Sequence, residues 1–199
     1  MKIAVIGSTG RVGSRIMNEG TLRGHEMTGI SRNEKTGIKK NLFELTSNDL
    51  KDFDVVVSAF GVWDDQSLHL KAAKHLDSIM SSLNNRWIAV GGAGSLYVAS
   101  DLMLKDSDGF PEEYKGVANG MYEGLDFLKK EAISNWSYFS PAAIFEPGDK
   151  TGAYKLGLEE LLTDSNGKSY ISMEDYALAM IDVIEQNLYQ KTRFSAVQA

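Results

Sequence analysis

The sequence predicts an α/β protein built on a doubly wound parallel sheet. Strand-like and helix-like segments alternate along the chain. The opening run Lys2–Gly7 ends in glycines at Gly7, Gly10 and Gly13, and a helical pattern follows. The run Asp54–Phe60 holds three consecutive valines, as in a parallel strand covered on both faces. No repeat, linker or low-complexity run divides the 199 residues, so one domain over 1–199 is expected.

Each element follows from its pattern. Lys2–Gly7 reads as the first strand and Arg11–Leu22 as a helix with Val12, Ile16 and Gly20 on one face. His25–Ser31 reads as the second strand, with a short strand around Ile38–Lys40. Leu68, Ala72, Leu76, Ile79, Met80 and Leu83 keep a 3.6-residue period, which predicts a helix over Asp65–Leu83. Arg86–Val90 is the next strand. Val117, Met121, Leu125, Leu128 and Ala132 mark a helix from about Pro111 to Ser134, and Trp136–Phe145 contains a further strand. Ser172 and Asp175 stand at capping-box spacing before a last helix bearing Ala177, Met180, Ile181, Ile184 and Leu188. Two segments break the alternation, about 96–111 and 146–171. The second carries Pro147-Gly148 and Asn166-Gly167, a pattern for a β-hairpin. Both follow strand ends, so both are expected to wall a pocket as small substrate-side extensions.

Composition excludes several function classes. The formal charge of −6 argues against nucleic acid and anionic membrane partners. Without cysteine there is no disulfide, no thiolate zinc site and no cysteine nucleophile. His25, His69 and His75 lack metal-ligand spacing, so no metal is expected. No apolar run is long enough to span a bilayer and no signal segment is seen. The expectation is a cytoplasmic monomer or homodimer acting on a small molecule.

The glycine loop carries the chemistry. Gly7 permits the tight turn, Gly10 lets the backbone approach a phosphate, and Gly13 lets the helix pack on the strand. The helix N-terminus then offers free N–H groups and its positive dipole end to a pyrophosphate. Gly7, Ser8, Thr9, Gly10, Arg11, Val12 and Gly13 are therefore candidate dinucleotide-binding residues of a Rossmann-type fold. The second strand ends Gly29-Ile30-Ser31-Arg32-Asn33, with no carboxylate for a ribose hydroxyl. Arg32 offers a guanidinium fork and Ser31 a hydroxyl. Arg11 opposes the helix dipole unless an anion offsets it. These residues predict NADP(H) over NAD(H). Ala59-Phe60-Gly61, at the end of the valine strand, and Pro141 are further cofactor contacts. Asn41 and Leu42 are expected at the adenine edge.

Several motifs carry a resemblance. Gly7–Gly13, Ser31-Arg32-Asn33 and Val56-Val57-Ser58-Ala59-Phe60-Gly61 resemble atypical short-chain dehydrogenase/reductases. Val90-Gly91-Gly92-Ala93-Gly94-Ser95-Leu96, Pro111-Glu112-Glu113-Tyr114-Lys115, Ser140–Gly148 and Ile171–Ala177 resemble the NADH-flavin reductase family, which is related to NmrA-like proteins and biliverdin reductase B. The resemblance implies a Rossmann fold, an NAD(P) cofactor and reduction of a flavin (FMN or FAD) or a quinone-like acceptor.

The larger superfamily's Tyr-x-x-x-Lys dyad is absent. None of the eight tyrosines has lysine four residues on, and Tyr122 meets Asp126 there. Hydride transfer to a flavin has no strict need of the dyad, since solvent supplies the proton. Ser95 stands at the position of the superfamily's catalytic serine, and Trp63 and Tyr154 are candidates to stack an acceptor. The alternative is a non-catalytic NADP(H)-sensing regulator of NmrA type.

Overall fold

A computed structural model describes residues 1–199. Its elements are β1 (Lys2–Ile6), α1 (Arg11–Leu22), β2 (Glu26–Ser31), β3 (Ile38–Lys39), α2 (Ser47–Leu50), β4 (Val55–Ser58), α3 (Ser67–Met80) and β5 (Arg86–Val90). There follow β6 (Tyr97–Ala99), β7 (Leu102–Met103), α4 (Glu112–Lys130), β8 (Trp136–Ser140), β9 (Ile144–Glu146), β10 (Tyr154–Gly157), β11 (Tyr170–Ser172), α5 (Met173–Glu185) and β12 (Thr192–Gln198).

Eight strands form the central sheet in the order β10-β12-β8-β5-β4-β1-β2-β3. All pairs are parallel except β10 with β12. Successive strands are added in one direction from β1 and in the other from β4, which sets the switch point where ligands bind in such sheets. Alternation along β1 divides the core. Ile3 and Val5 face the cluster built with α5, whereas Ala4 and Ile6 face the cluster built with α3. Helices thus cover both faces, as the valine run requires.

Three expectations are corrected. The 146–171 segment is not a hairpin: β10 joins the edge of the main sheet, and β9 pairs in parallel with β11. The turn residues there mark separate excursions. The polar 97–110 segment contains a small antiparallel pair, β6 with β7, followed by a 3-10 turn at Leu104–Asp106. The last seven-residue strand, β12, was not anticipated. It inserts between β8 and β10 and buries Phe194, Ala196 and Val197. Its alternation is blurred because Arg193 and Ser195 are buried as well.

Candidate functional site

The carboxyl ends of β1, β4, β5 and β8 lie side by side and carry the loops Gly7–Gly10, Ala59–Trp63, Gly91–Ser95 and Pro141. Gly7 has φ +78°, and a Cβ there would lie 2.6 Å from the Ala59 carbonyl oxygen. A Cβ on Gly13 would come within 2.2 Å of the Gly7 carbonyl oxygen. The glycines are required by the approach of two loops and one helix, as the spacing predicts.

The start of α1 has no side-chain cap and no acidic residue in its first turn. Its free N–H groups and positive dipole end are therefore open to an anion. Thr9, Gly10 and Arg11 are exposed beside it. Val12 turns inward and packs on the α5-side core. Of the chain's six arginines, four are engaged. Arg15 pairs with Glu174, Arg23 with Glu19, Asp182 and Glu185, and Arg193 with Glu159. Arg86 is held by Ser137 and two carbonyls, and burial pushes its guanidinium down to about 10. The side chains of Arg11 and Arg32 have no partner. Two buried hydroxyls at strand carboxyl ends, Ser31 Oγ on β2 and Ser140 Oγ on β8, are likewise without a partner. A glycine cradle, an open helix start, two free guanidinium groups and orphaned hydroxyls suit a phosphate-rich dinucleotide.

The structure adds a residue that the sequence reading missed. Glu34, three residues past β2, folds back so that the buried Ser8 hydroxyl donates to it at 2.5 Å. Backbone N–H groups of Lys35 and Thr36 also donate to Glu34. The Ser8 hydrogen bond, reinforced by these amides, holds the carboxyl below its ordinary range despite desolvation. Gly29 leaves the space, since a Cβ there would lie 2.3 Å from Glu34 Oε2. The only sequence signal was a carboxylate close after the strand end.

Other candidate residues fall in three places. Phe60 packs edge-on against His69 and Phe43, each with ring centroids 6.0 Å apart. Pro141 is buried just after β8 and ends that strand. Gly61 faces open space. Asn41 caps the Leu42–Glu44 turn in a capping box, while Leu42 is buried in the α3-side core, so its side chain points inward. Ser95 is buried, and its hydroxyl accepts from Arg193 Nη1 at 3.3 Å. That contact ties the loop after β5 to β12 instead of presenting the hydroxyl to the cleft. Tyr154 does not reach the cleft for stacking. Its hydroxyl donates to Asp182 on α5, and desolvation with that carboxylate raises its pKa. Asp126, in the place of the dyad's lysine, pairs with Lys130 at 2.9 Å. Trp63 stands exposed on the loop after β4, edge-on to Tyr114 at 6.0 Å.

The two extension segments are joined. The Tyr97 amide donates to the Glu159 carbonyl, the Leu161 amide donates to the Tyr97 carbonyl, and Arg193 bonds both Ser95 and Glu159. They hold together as one unit rather than two. Among the described residues no group of side chains is placed to hold a metal ion. No helix is long and apolar enough to cross a membrane.

No family model matches the chain. A Bacillus subtilis protein, YwnB, of uncharacterised function, is 40% identical, covering 99% of this chain and 98% of that protein. The structure of a "putative NADH-flavin reductase" from Streptococcus pneumoniae superposes with a TM-score of 0.96 at 40% identity over 100% of both chains. The chain belongs to the NADH-flavin reductase-like family. A Lactobacillus casei protein matches with a TM-score of 0.90 at 32% identity, again over 100% of both chains. The shared fold is the Rossmann type that the glycine loop and alternation predict.

Proposed function

We propose that the protein is an NADPH-dependent oxidoreductase that reduces a flavin or quinone-like acceptor. The observation that carries the cofactor half is the open start of α1 beside the two arginines that have no partner, Arg11 and Arg32. Amides of the Gly7–Gly13 loop hold the pyrophosphate, with Ser8 and Thr9 in that loop. Arg32, Ser31 and Arg11 receive the ribose 2′-phosphate. Phe60, Gly61, Ser140 and Pro141 line the nicotinamide end. The reduced nicotinamide, when bound, supplies a hydride, which the acceptor takes together with one proton from solvent. The chain's own contribution is to bind and orient the two partners and to exclude water between them. Ser95 acts from behind, fixing the loop after β5 through Arg193. The flavin half follows the name of the Streptococcus relative and the motifs shared with its family.

The test is a pair of titrations and an acceptor panel. NADPH is expected to bind about tenfold more tightly than NADH, and Arg32→Ala to remove that difference by weakening NADPH alone. Equal or tighter NADH binding by the wild-type protein contradicts the preference. Tight NADPH binding with no oxidation by FMN, riboflavin or menadione favours a cofactor-sensing protein over a reductase.

A further inference from the structure

We propose that Trp63 and Tyr114 form a preorganised platform for the acceptor's flat ring, and that its acidic surround selects acceptors without a phosphate. This rests on the reductase reading given above. Both aromatic residues are large and exposed, and the backbone beside Trp63 is held by hydrogen bonds. Trp63 lies in the loop after β4, and its carbonyl accepts from Gln66 Nε2 at 2.9 Å. The preceding carbonyl, Val62, is held by His69 Nε2 at 3.0 Å. Gln66 is itself seated against α4, where two glycines make room. A Cβ on Gly120 would lie 2.5 Å from the Gln66 carbonyl oxygen, and one on Gly116 would lie 3.1 Å from its side-chain nitrogen. Helix interiors disfavour glycine, so two on one helical face mark a close approach that the fold needs. The approach sets the Trp63 loop beside the first turn of α4, which carries Tyr114. The two rings then meet edge-on at 6.0 Å.

The platform stands on the loop against which Gly7 turns. Ala59, against which Gly7 turns, lies four residues before Trp63 on the same loop. The charges at the two ends are opposite. The glycine-loop end has the free Arg11 and Arg32. At the aromatic end Asp64 and Asp65 follow Trp63, and Glu112 and Glu113 precede Tyr114. Lys115 pairs with Glu112 at 2.7 Å, and Lys71 acts on Asp65. Asp64 and Glu113 have no partner. A dianionic phosphate brought here meets repulsion, whereas a neutral or cationic aromatic ring meets none. The occupant that fits is a planar, unphosphorylated acceptor such as a quinone or riboflavin.

The experiment is equilibrium dialysis of riboflavin and FMN against the full chain saturated with NADP+, which prevents turnover. Tryptophan quenching supplies a second readout, because Trp63 is 63% exposed while Trp87 and Trp136 are 1% and 4% exposed. Riboflavin is expected to bind about fivefold more tightly than FMN, and Asp64→Asn with Glu113→Gln to narrow that ratio. Trp63→Ala is expected to weaken riboflavin about tenfold, and Trp63→Phe to keep most of the binding. Trp63 and Tyr114 lie outside the buried core, so their substitutions are expected to leave the melting temperature nearly unchanged. FMN binding as tightly as riboflavin, no riboflavin binding, or unchanged binding in Trp63→Ala and Tyr114→Ala each overturns the proposal. Riboflavin binding without NADPH oxidation by any acceptor leaves the platform standing and counts against the reductase reading alone.

Discussion

The starts of α1 and α5 lie on the same side of the sheet, yet their hydrogen bonding is opposite. At α5, Ser172 Oγ accepts from the Asp175 amide at 3.0 Å and donates to the Asp149 carbonyl. Asp175, fully buried, accepts from the Thr151 amide and hydroxyl and from the Gly152 amide. Glu174 takes Gly148 and Arg15. The α5 start therefore binds the chain's own 148–152 segment. The α1 start has no side-chain cap and no acidic residue in its first turn. The same orphan amides and dipole serve architecture in one place and stay open to an anion in the other. Acidic residues in the first turn distinguish the two: α5 has Glu174 and Asp175, α1 has Arg11.

Three changes break or sharpen that contrast. The largest effect belongs to Gly13→Ala, whose Cβ cannot coexist with the Gly7 carbonyl at 2.2 Å. Dinucleotide affinity is expected to fall about 100-fold or more, with a stability loss of roughly 2 kcal/mol from overpacking. Fluorescence titration and thermal melts measure both, and near-normal affinity contradicts the assignment of the loop. Next is Asp175→Ala, which strands three donors and costs about 3 kcal/mol, near 10 °C in Tm. NADPH affinity measured well below that Tm is expected to hold, and a parallel loss of affinity shows that the two helix starts are coupled.

The smallest effect concerns Glu34. Its folded carboxyl is held below the ordinary value by the Ser8 hydroxyl, so its stabilisation is fully present above about pH 4.5 and fades as pH falls through the folded value. The Tm difference between wild type and Glu34→Gln is expected to be constant from neutral pH to about 4.5 and to close below it. A difference that persists to stronger acid shows that the carboxyl charge is not what the Ser8 hydroxyl reads.

Legibility divides along similar lines. The glycine loop, the valine strand and the amphipathic helices are local patterns, and each was readable because periodicity and turn chemistry act over a few residues. Arg11 was readable as a charge set against the helix dipole, and Arg32 as a guanidinium at a strand end without a carboxylate. β12 was not readable, because the burial of Arg193 depends on Glu159 and Ser95, and that of Ser195 on the Glu160 carbonyl, all distant in sequence. Ser95 was recognised by position, but its partner Arg193 lies almost a hundred residues away. The hairpin expected at 146–171 failed because edge pairing with β12 competes with local turns.

The sequence by itself determined the parallel α/β sheet, the glycine loop and the lack of any Tyr-x-x-x-Lys motif, since all three reside in short stretches of chain. Tertiary structure alone decided which charges are free. Four arginines found partners and two did not, Glu34 returned to Ser8, and Trp63 met Tyr114. Each outcome depends on which segments fold against one another, and no local pattern records that.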